Sequence, residues 1–294
     1  MKASCTAVFL VLWGFLTQTW AQGIGHPLIK RLSDGALLGL SKLTTELRGA
    51  KVIIVGEQHD EPAHHRAQLS ILRSLSDSGV PLAIGMEMFG QDAQGALERW
   101  SRGEMAEEEM EQLFQENWSG TSWVLYRDIL LFARDRRIPI VGLNLPREIT
   151  QKVAREGYGA LPEEVRQKLG DLRCDVDPVY RTFLLWAFEA HRNDEERGFD
   201  RFCLAQVLWD TAMARAILRF LRDNQGSTMV VLAGVGHAWN RGIPKRMAVQ
   251  EDFLYRVIVP ETVEKLRVEP LDPEDADYLW LRLEDSPSAE DPGQ

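Results

Sequence analysis

Cysteine is scarce in this chain, with three in 294 residues. Cys5 stands before the first apolar run rather than just after it, which excludes the lipid-attachment signal of a lipoprotein. There is no long run of lysine or arginine, and the formal net charge is -10. That balance excludes phosphate backbones as electrostatic partners and gives no attraction to anionic lipid. The run Ala7 to Leu16 is too short to span a bilayer as a helix. No segment repeats at a fixed period. What is present is ample material for a core: 45% hydrophobic and 27% charged residues, enough for one large domain or two small ones. Nine tryptophans are many for this length; they serve as core residues or as walls for a flat aromatic ligand.

Residues 1–21 read as a secretory signal. Lys2 gives the positive start, Ala7 to Leu16 the apolar run, and Thr19-Trp20-Ala21 the small residues of a cleavage site. Cleavage would start the mature chain at Gln22 and remove one lysine, making it slightly more acidic. The expected location is secreted or periplasmic. The mature chain keeps Cys174 and Cys203, which an oxidising compartment leaves either paired or as two buried thiols.

Val52-Ile53-Ile54-Val55-Gly56-Glu57-Gln58-His59-Asp60 organises the rest. β-branched apolar residues predict a buried strand. The glycine follows, then Glu57 and His59 on a loop. Asp60 is placed to cap a helix that has Pro62 near its first turn. The pattern recurs. Pro81 to Met86 predicts a second strand ending in Glu87, and Ile138 to Gly142 a third delivering Asn144 and Arg147. Met229 to Ala233 predicts a fourth, ending in Gly234-Val235-Gly236-His237. Late strands are expected at Phe253 to Val259 and Tyr278 to Leu283, and a short helix within Leu28 to Leu47. Helical spacing covers Glu61 to Ser78, Gln91 to Arg102, Glu104 to Glu116, Trp123 to Arg137, Arg147 to Arg155 and, at greatest length, Phe199 to Asp223. Gly157 to Gly198 carries no strand signal and predicts a helical insertion, a lid or wall over the sheet edge. Residues 22–284 form the expected α/β unit and 285–294 a polar tail.

Strand and helix in alternation imply an α/β fold, a mainly parallel sheet with helices on both faces. Right-handed crossovers then put all four strand ends on one side. Glu57, His59, Glu87, Asn144 and His237 converge there by topology. Two imidazoles and two carboxylates suit a divalent transition metal such as zinc or manganese, or acid–base exchange with a substrate. His59 or His237 alone would read as a hydrogen-bonded structural histidine. Both, each in a Gly-x-x-His at a strand end, read as a site. Of His64 and His65, one is expected at the elbow and one in solvent; His26 and His191 carry no expected role. Gln206 and Asp210 lie one turn apart on an apolar helix and fit groups that orient a histidine, with an exposed polar stripe the alternative for Gln206. Tyr126, on one helix face with Trp123, is either core or a tyrosinate for iron.

These residues form an ordered set. Val55 to Asp60, Ala63 to Gln68, Met86 to Phe89, Trp123 with Tyr126 and Ile129, Leu143 to Arg147, Ala205-Gln206 with Asp210 and Met213-Ala214, and Gly234 to His237 resemble the ChaN family of bacterial haem-binding proteins. The likeness spans Leu38 to Met247. That family is similar to a superfamily holding the Tiki proteases, the TraB proteins and the erythromycin esterases, marked by two Gly-x-x-His motifs and a glutamate. The resemblance implies haem as cofactor, with His59, His65, Tyr126, Asn144, Arg147, Gln206, Asp210 and His237 as binding candidates. It also implies a homodimer with haem between subunits and peripheral association with a membrane uptake system. The superfamily alternative is a metal-dependent hydrolase using Glu57, His59, Glu87 and His237. Many ChaN-like proteins resemble lipoproteins; this chain departs from them in lacking the cysteine.

Overall fold

A computed structural model describes residues 28–190, 198–251, 253–261 and 271–282. The signal segment, His26, His191 and the polar tail lie outside the described residues.

The strands are β1 (Leu28–Arg31), β2 (Leu37–Leu38), β3 (Val52–Glu57), β4 (Leu82–Gly90), β5 (Ile140–Asn144), β6 (Thr228–Gly234), β7 (Tyr255–Pro260) and β8 (Tyr278–Arg282). They join one sheet in the order β2-β1-β8-β7-β3-β6-β4-β5. β8, β7, β3, β6, β4 and β5 run parallel, and β1 and β2 close one edge antiparallel. The expected short helix within Leu28 to Leu47 is therefore only half right. α1 (Leu40–Leu47) is there, but Leu28–Arg31 pairs with β8. That pairing partner lies about 250 residues downstream, beyond any local periodicity.

Helices cover both faces. α2 (Pro62–Asp77), α3 (Gln94–Ser101), α4 (Glu107–Asn117) and α5 (Trp123–Asp135) lie on one side with α1. α8 (Pro178–Ala190), α9 (Phe199–Asp223), α10 (Val235–Ala238) and α11 (Ile243–Ala248) lie on the other. α6 (Arg147–Glu156) and α7 (Glu163–Leu169) add a smaller core against α9. The period of two along each strand divides the two cores. Ile53 and Val55 of β3, with Ile84 and Met86 of β4, face α2 and α5. Val52 and Ile54, with Ala83, face α9. The same alternation aims Glu57, two residues after Val55, at the α2/α5 side. It aims Glu87, four after Ala83, at the α9 side.

α2 starts one residue later than the sequence suggests. Glu61, not Asp60, is the N-cap, accepting from the Ala63 amide at 3.3 Å with Pro62 in the first turn. Leu69, Leu72 and Leu75 are buried as their spacing requires. Cys174 and Cys203 form a disulfide with Cα atoms 5.6 Å apart, which ties the insertion to α9. The insertion's α8 then packs where β6 ends, its Phe183 ring resting over Gly236.

Candidate functional site

β6 lies between β3 and β4, so the three strands deliver Glu57, Gly234 and Glu87 side by side. The two Gly-x-x-His motifs meet above β6, each supplying the glycine that the other covers. A Cβ on Gly56 would lie 3.0 Å from the Ala238 Cβ, so only glycine lets α10 settle onto β3. A Cβ on Gly234 would lie 2.8 Å from His59 Nε2 and 3.6 Å from Glu87 Oε2. Locally the motifs differ: His59 sits on a loop, His237 in the single turn of α10.

Glu57 is a buried hub on the α2/α5 side. Its Oε1 accepts from the Tyr126 hydroxyl and meets His59 Nδ1 at 2.8 Å. Its Oε2 accepts from Gln68 Nε2 at 2.7 Å and lies 3.5 Å from His65 Nδ1. Burial alone would push this carboxyl up; the His59 hydrogen bond and the His65 and His59 charges outweigh it, so Glu57 stays below the usual carboxylate range. Burial would likewise depress the His59 ring. The Glu57 hydrogen bond and the Glu87 and Glu57 charges reverse that and raise it to about 9. Trp118 packs edge-on against His59, with ring centres 5.1 Å apart.

The α9 side repeats the device. Asp210 Oδ1 meets His237 Nδ1 at 2.7 Å, and Asp210 Oδ2 accepts from the Tyr180 hydroxyl at 2.9 Å. Burial raises Asp210 against the pull of His237 and Tyr180. Burial opposes the His237 proton, but the Glu87 and Asp210 charges prevail and raise that ring. Glu87 stands between the halves. Its Oε2 accepts from the Gly234 amide at 2.7 Å, and its Oε1 is 3.7 Å from His237 Nε2. Asn144 reaches the same strand end, donating to the Glu87 carbonyl at 3.1 Å.

The convergence of Glu57, His59, Glu87, Asn144 and His237 is thus present, and several assignments within it change. Glu57 is not disposed as a metal ligand, since both its oxygens are spent on protein donors. Among the described residues no three His, Cys, Asp or Glu side chains are grouped to hold a metal ion. Tyr126 is fully buried and gives its hydroxyl to Glu57; burial and the Glu57 charge push its pKa far up, opposite to what a tyrosinate ligand needs. Neither His64 nor His65 faces solvent. His64 Nδ1 accepts from the Gln58 amide at 2.8 Å, and His65 Nε2 meets the His59 carbonyl at 3.1 Å. Of the pair on α9, Asp210 is hydrogen-bonded to His237 and Gln206 is not. Arg147 opens α6. Tyr180 and Trp209, whose ring centre is 5.6 Å from that of His237, escaped sequence reasoning; an aromatic in a charged insertion, or on an apolar helix, carries no local signal.

The raised imidazole dictates a pH dependence. The folded state holds the His59 proton more tightly than the unfolded chain, so the stabilisation is complete below about pH 6.5 and is lost as pH rises through about 9. A third of the His59 side chain is open to water. With that screening discounted, urea titrations should show a fall of about 1–2 kcal/mol from this group between pH 6.5 and 9.5, and His59→Ala should reduce the fall to what His237, raised by Glu87 and Asp210, contributes.

Residues 43–247 match the sequence model of the family described as haem-binding uptake, Tiki superfamily, ChaN. The chain belongs to this family. Among solved structures, the ChaN of Campylobacter jejuni with cofacially bound haem is similar at a TM-score of 0.68 and 19% identity, over 87% of this chain and 96% of that one. At this identity the likeness shows the fold. An erythromycin esterase in its open conformation matches at a TM-score of 0.48 and 16% identity, over 79% and 76% of the two chains. The type III effector HopBA1 matches at 0.47 and 14%, over 88% and 97%. No curated protein sequence matches significantly.

Proposed function

We propose that this ChaN-family chain binds haem above the ends of β3, β6 and β4, with His59 holding the iron. One observation carries the reading. Both imidazoles have Nδ1 fixed on a buried carboxylate, at 2.8 Å for His59 and 2.7 Å for His237. This is the arrangement that directs a neutral ring's lone pair to Nε2 and raises its basicity as a ligand. Gly234 lets the His59 ring sit where a Cβ would come within 2.8 Å of Nε2. His59 also has the most exposed side chain of the three imidazoles near Glu57 or Glu87, at 33% against 3% for His65 and 8% for His237.

When bound, haem would supply an iron centre, and His59 would provide it with a nitrogen donor. The chain's part is to hold His59 in orientation through Glu57 and to keep Glu57 ionised through Tyr126 and Gln68, while the proton that leaves His59 Nε2 as the ring becomes neutral passes to water. Secretion or periplasmic residence, a homodimer with haem at its interface, and a role in iron uptake beside a membrane system complete the reading; the disulfide suits an oxidising compartment. Titrating the purified mature protein with haemin should shift the Soret band saturably at one haem per chain. A response no larger than that of a control protein removes the proposal. Gly234→Ala should leave the fold intact and weaken haemin at least tenfold, since its methyl meets His59 Nε2 at 2.8 Å.

A second reading is hydrolysis at the same centre. It draws on Glu87 Oε1 lying 3.7 Å from His237 Nε2, with Asp210 behind the ring. That suits proton transfer to and from an attacking water. Stoichiometric divalent metal in protein purified without chelator, lost in the His59→Ala, His237→Ala double variant, would favour this reading.

A further inference from the structure

The His237 half of the site lies between Trp209 of α9, packed on the imidazole, and α8, which covers its Asp210 partner and Gly236. Tyr180 donates to both Asp210 Oδ2, at 2.9 Å, and the Gly236 carbonyl, at 3.0 Å. The Phe183 ring fills the space over Gly236, where a Cβ would come within 2.8 Å of it. It also packs on Trp239, with ring centres 5.2 Å apart. Under this cover only 8% of the His237 side chain and 3% of that of Glu87 meet solvent.

The outer side of α8 is not buried in return. Leu185 is 38% and Trp186 46% exposed. Two polar ties hold its start: Asp177 caps the Val179 and Tyr180 amides, and Arg241 Nη1 donates to Asp177 at 2.8 Å. The third tie is covalent. Cys174, four residues before α8, is bonded to Cys203 on α9, one helix with Asp210. Cys203 is fully buried, whereas Cys174 is half-buried and within reach of a reductant.

We infer that α8 is a latch over the His237 half of the site, and that the Cys174–Cys203 bond sets whether it is fastened. The inference deepens the binding reading above, because the centre it opens is the one proposed to take haem. With the bond intact, Tyr180 completes the Asp210–His237 pair and Phe183 seals it. Release needs a dithiol. One thiolate of the dithiol attacks Cys174 Sγ, the Sγ–Sγ bond breaks, and Cys203 leaves as a thiolate that takes a proton. The second thiol of the donor then displaces Cys174, leaving two protein thiols and the donor as its own disulfide. Opening a loop of this span costs the fastened state roughly 30- to 1,000-fold in its equilibrium. What remains is non-covalent: the Asp177 cap with its Arg241 pair, the two Tyr180 hydrogen bonds, and the packing of Tyr180, Phe183, Leu184 and Phe188, on a helix whose Leu185 and Trp186 stay exposed.

The experiment uses the full mature protein, oxidised, reduced with dithiothreitol, and as the Cys174→Ser, Cys203→Ser double variant. Amide exchange is followed over Pro178–Ala190, with Val52–Glu57 and Thr228–Gly234 as the core reference. Carbethoxylation of His237 by diethyl pyrocarbonate is followed beside that of His59. Reduction and the double variant should each lower protection of α8 at least tenfold and leave the core strands unchanged. His237 should react at least tenfold faster, and His59 less than twofold faster. Tyr180→Phe in the oxidised protein should move His237 part of the way. Equal protection of α8 in all forms overturns the latch. So does loss of protection in α8 and the core strands together, which would make the bond a support of the whole fold. Neither readout involves haem, so failure of the haemin titration leaves this result standing, and the reverse.

Discussion

Glu57→Ala should lower the stability of the protein by about 3–5 kcal/mol, the largest loss from any single polar substitution at this centre. The carboxylate is fully buried at the end of β3 and meets the Tyr126 hydroxyl, His59 Nδ1, Gln68 Nε2 and His65 Nδ1. Its removal leaves those groups facing a cavity, and the charge that raises His59 disappears with it. In a chain of this size the loss amounts to a fall of about 10 °C in the unfolding midpoint, read by calorimetry. Tyr126→Phe removes one donor and keeps the ring packed between His65 and Phe114, so it should cost only about 1 kcal/mol. If Glu57→Ala cost no more than Tyr126→Phe, the carboxylate would not be the hub that its contacts describe.

His59→Ala should weaken haemin binding roughly 100-fold or more, about 2.7 kcal/mol, while leaving the fold in place. The side chain sits on a loop and is a third exposed, so its loss opens little core. The His237→Ala change should weaken haemin less, because only 8% of that side chain is exposed, against 33% for His59. A pH series sharpens the assignment. Iron takes the neutral ring, and His59 keeps its proton up to about pH 9, so affinity should rise about tenfold per unit between pH 7 and 9. The slope should vanish in His59→Ala. Equal affinity in wild type and His59→Ala, with one flat pH profile, would move the iron to another ligand.

Much of this centre was legible before any coordinates. Parallel strands with right-handed crossovers have only one side for their carboxyl ends, so Glu57, Glu87 and His237 had to meet although they lie far apart along the chain. The strand period fixes the rest of the pattern, sending Glu57 to one face of the sheet and Glu87 to the other. Other features need contacts that no local pattern carries. Tyr126 sits at ordinary core spacing on α5, and only its meeting with Glu57 makes it a support for a charge. The sequence divides His64 and His65 between elbow and solvent because adjacent helical positions usually diverge. Both are buried because the loop after β3 folds back over α2, the Gln58 amide on one ring and the His59 carbonyl on the other. The pairing of Cys174 with Cys203 and the reach of Tyr180 to Asp210 depend on how the insertion docks, and the charges within it say nothing of that. The Gly-x-x-His repeat pointed to a shared site. It did not reveal that each glycine is the seat of the other motif.

The direct test of a single centre spanning both imidazoles is nuclear magnetic resonance of the ring nitrogens, with gallium protoporphyrin as a diamagnetic haem analogue. Before addition, His59 and His237 should each carry a proton on Nδ1 held by its carboxylate. On addition, His59 Nε2 should move strongly and His237 measurably, at one porphyrin per chain, while His64 stays put. Unmoved signals from both His59 and His237 at saturation would contradict the account.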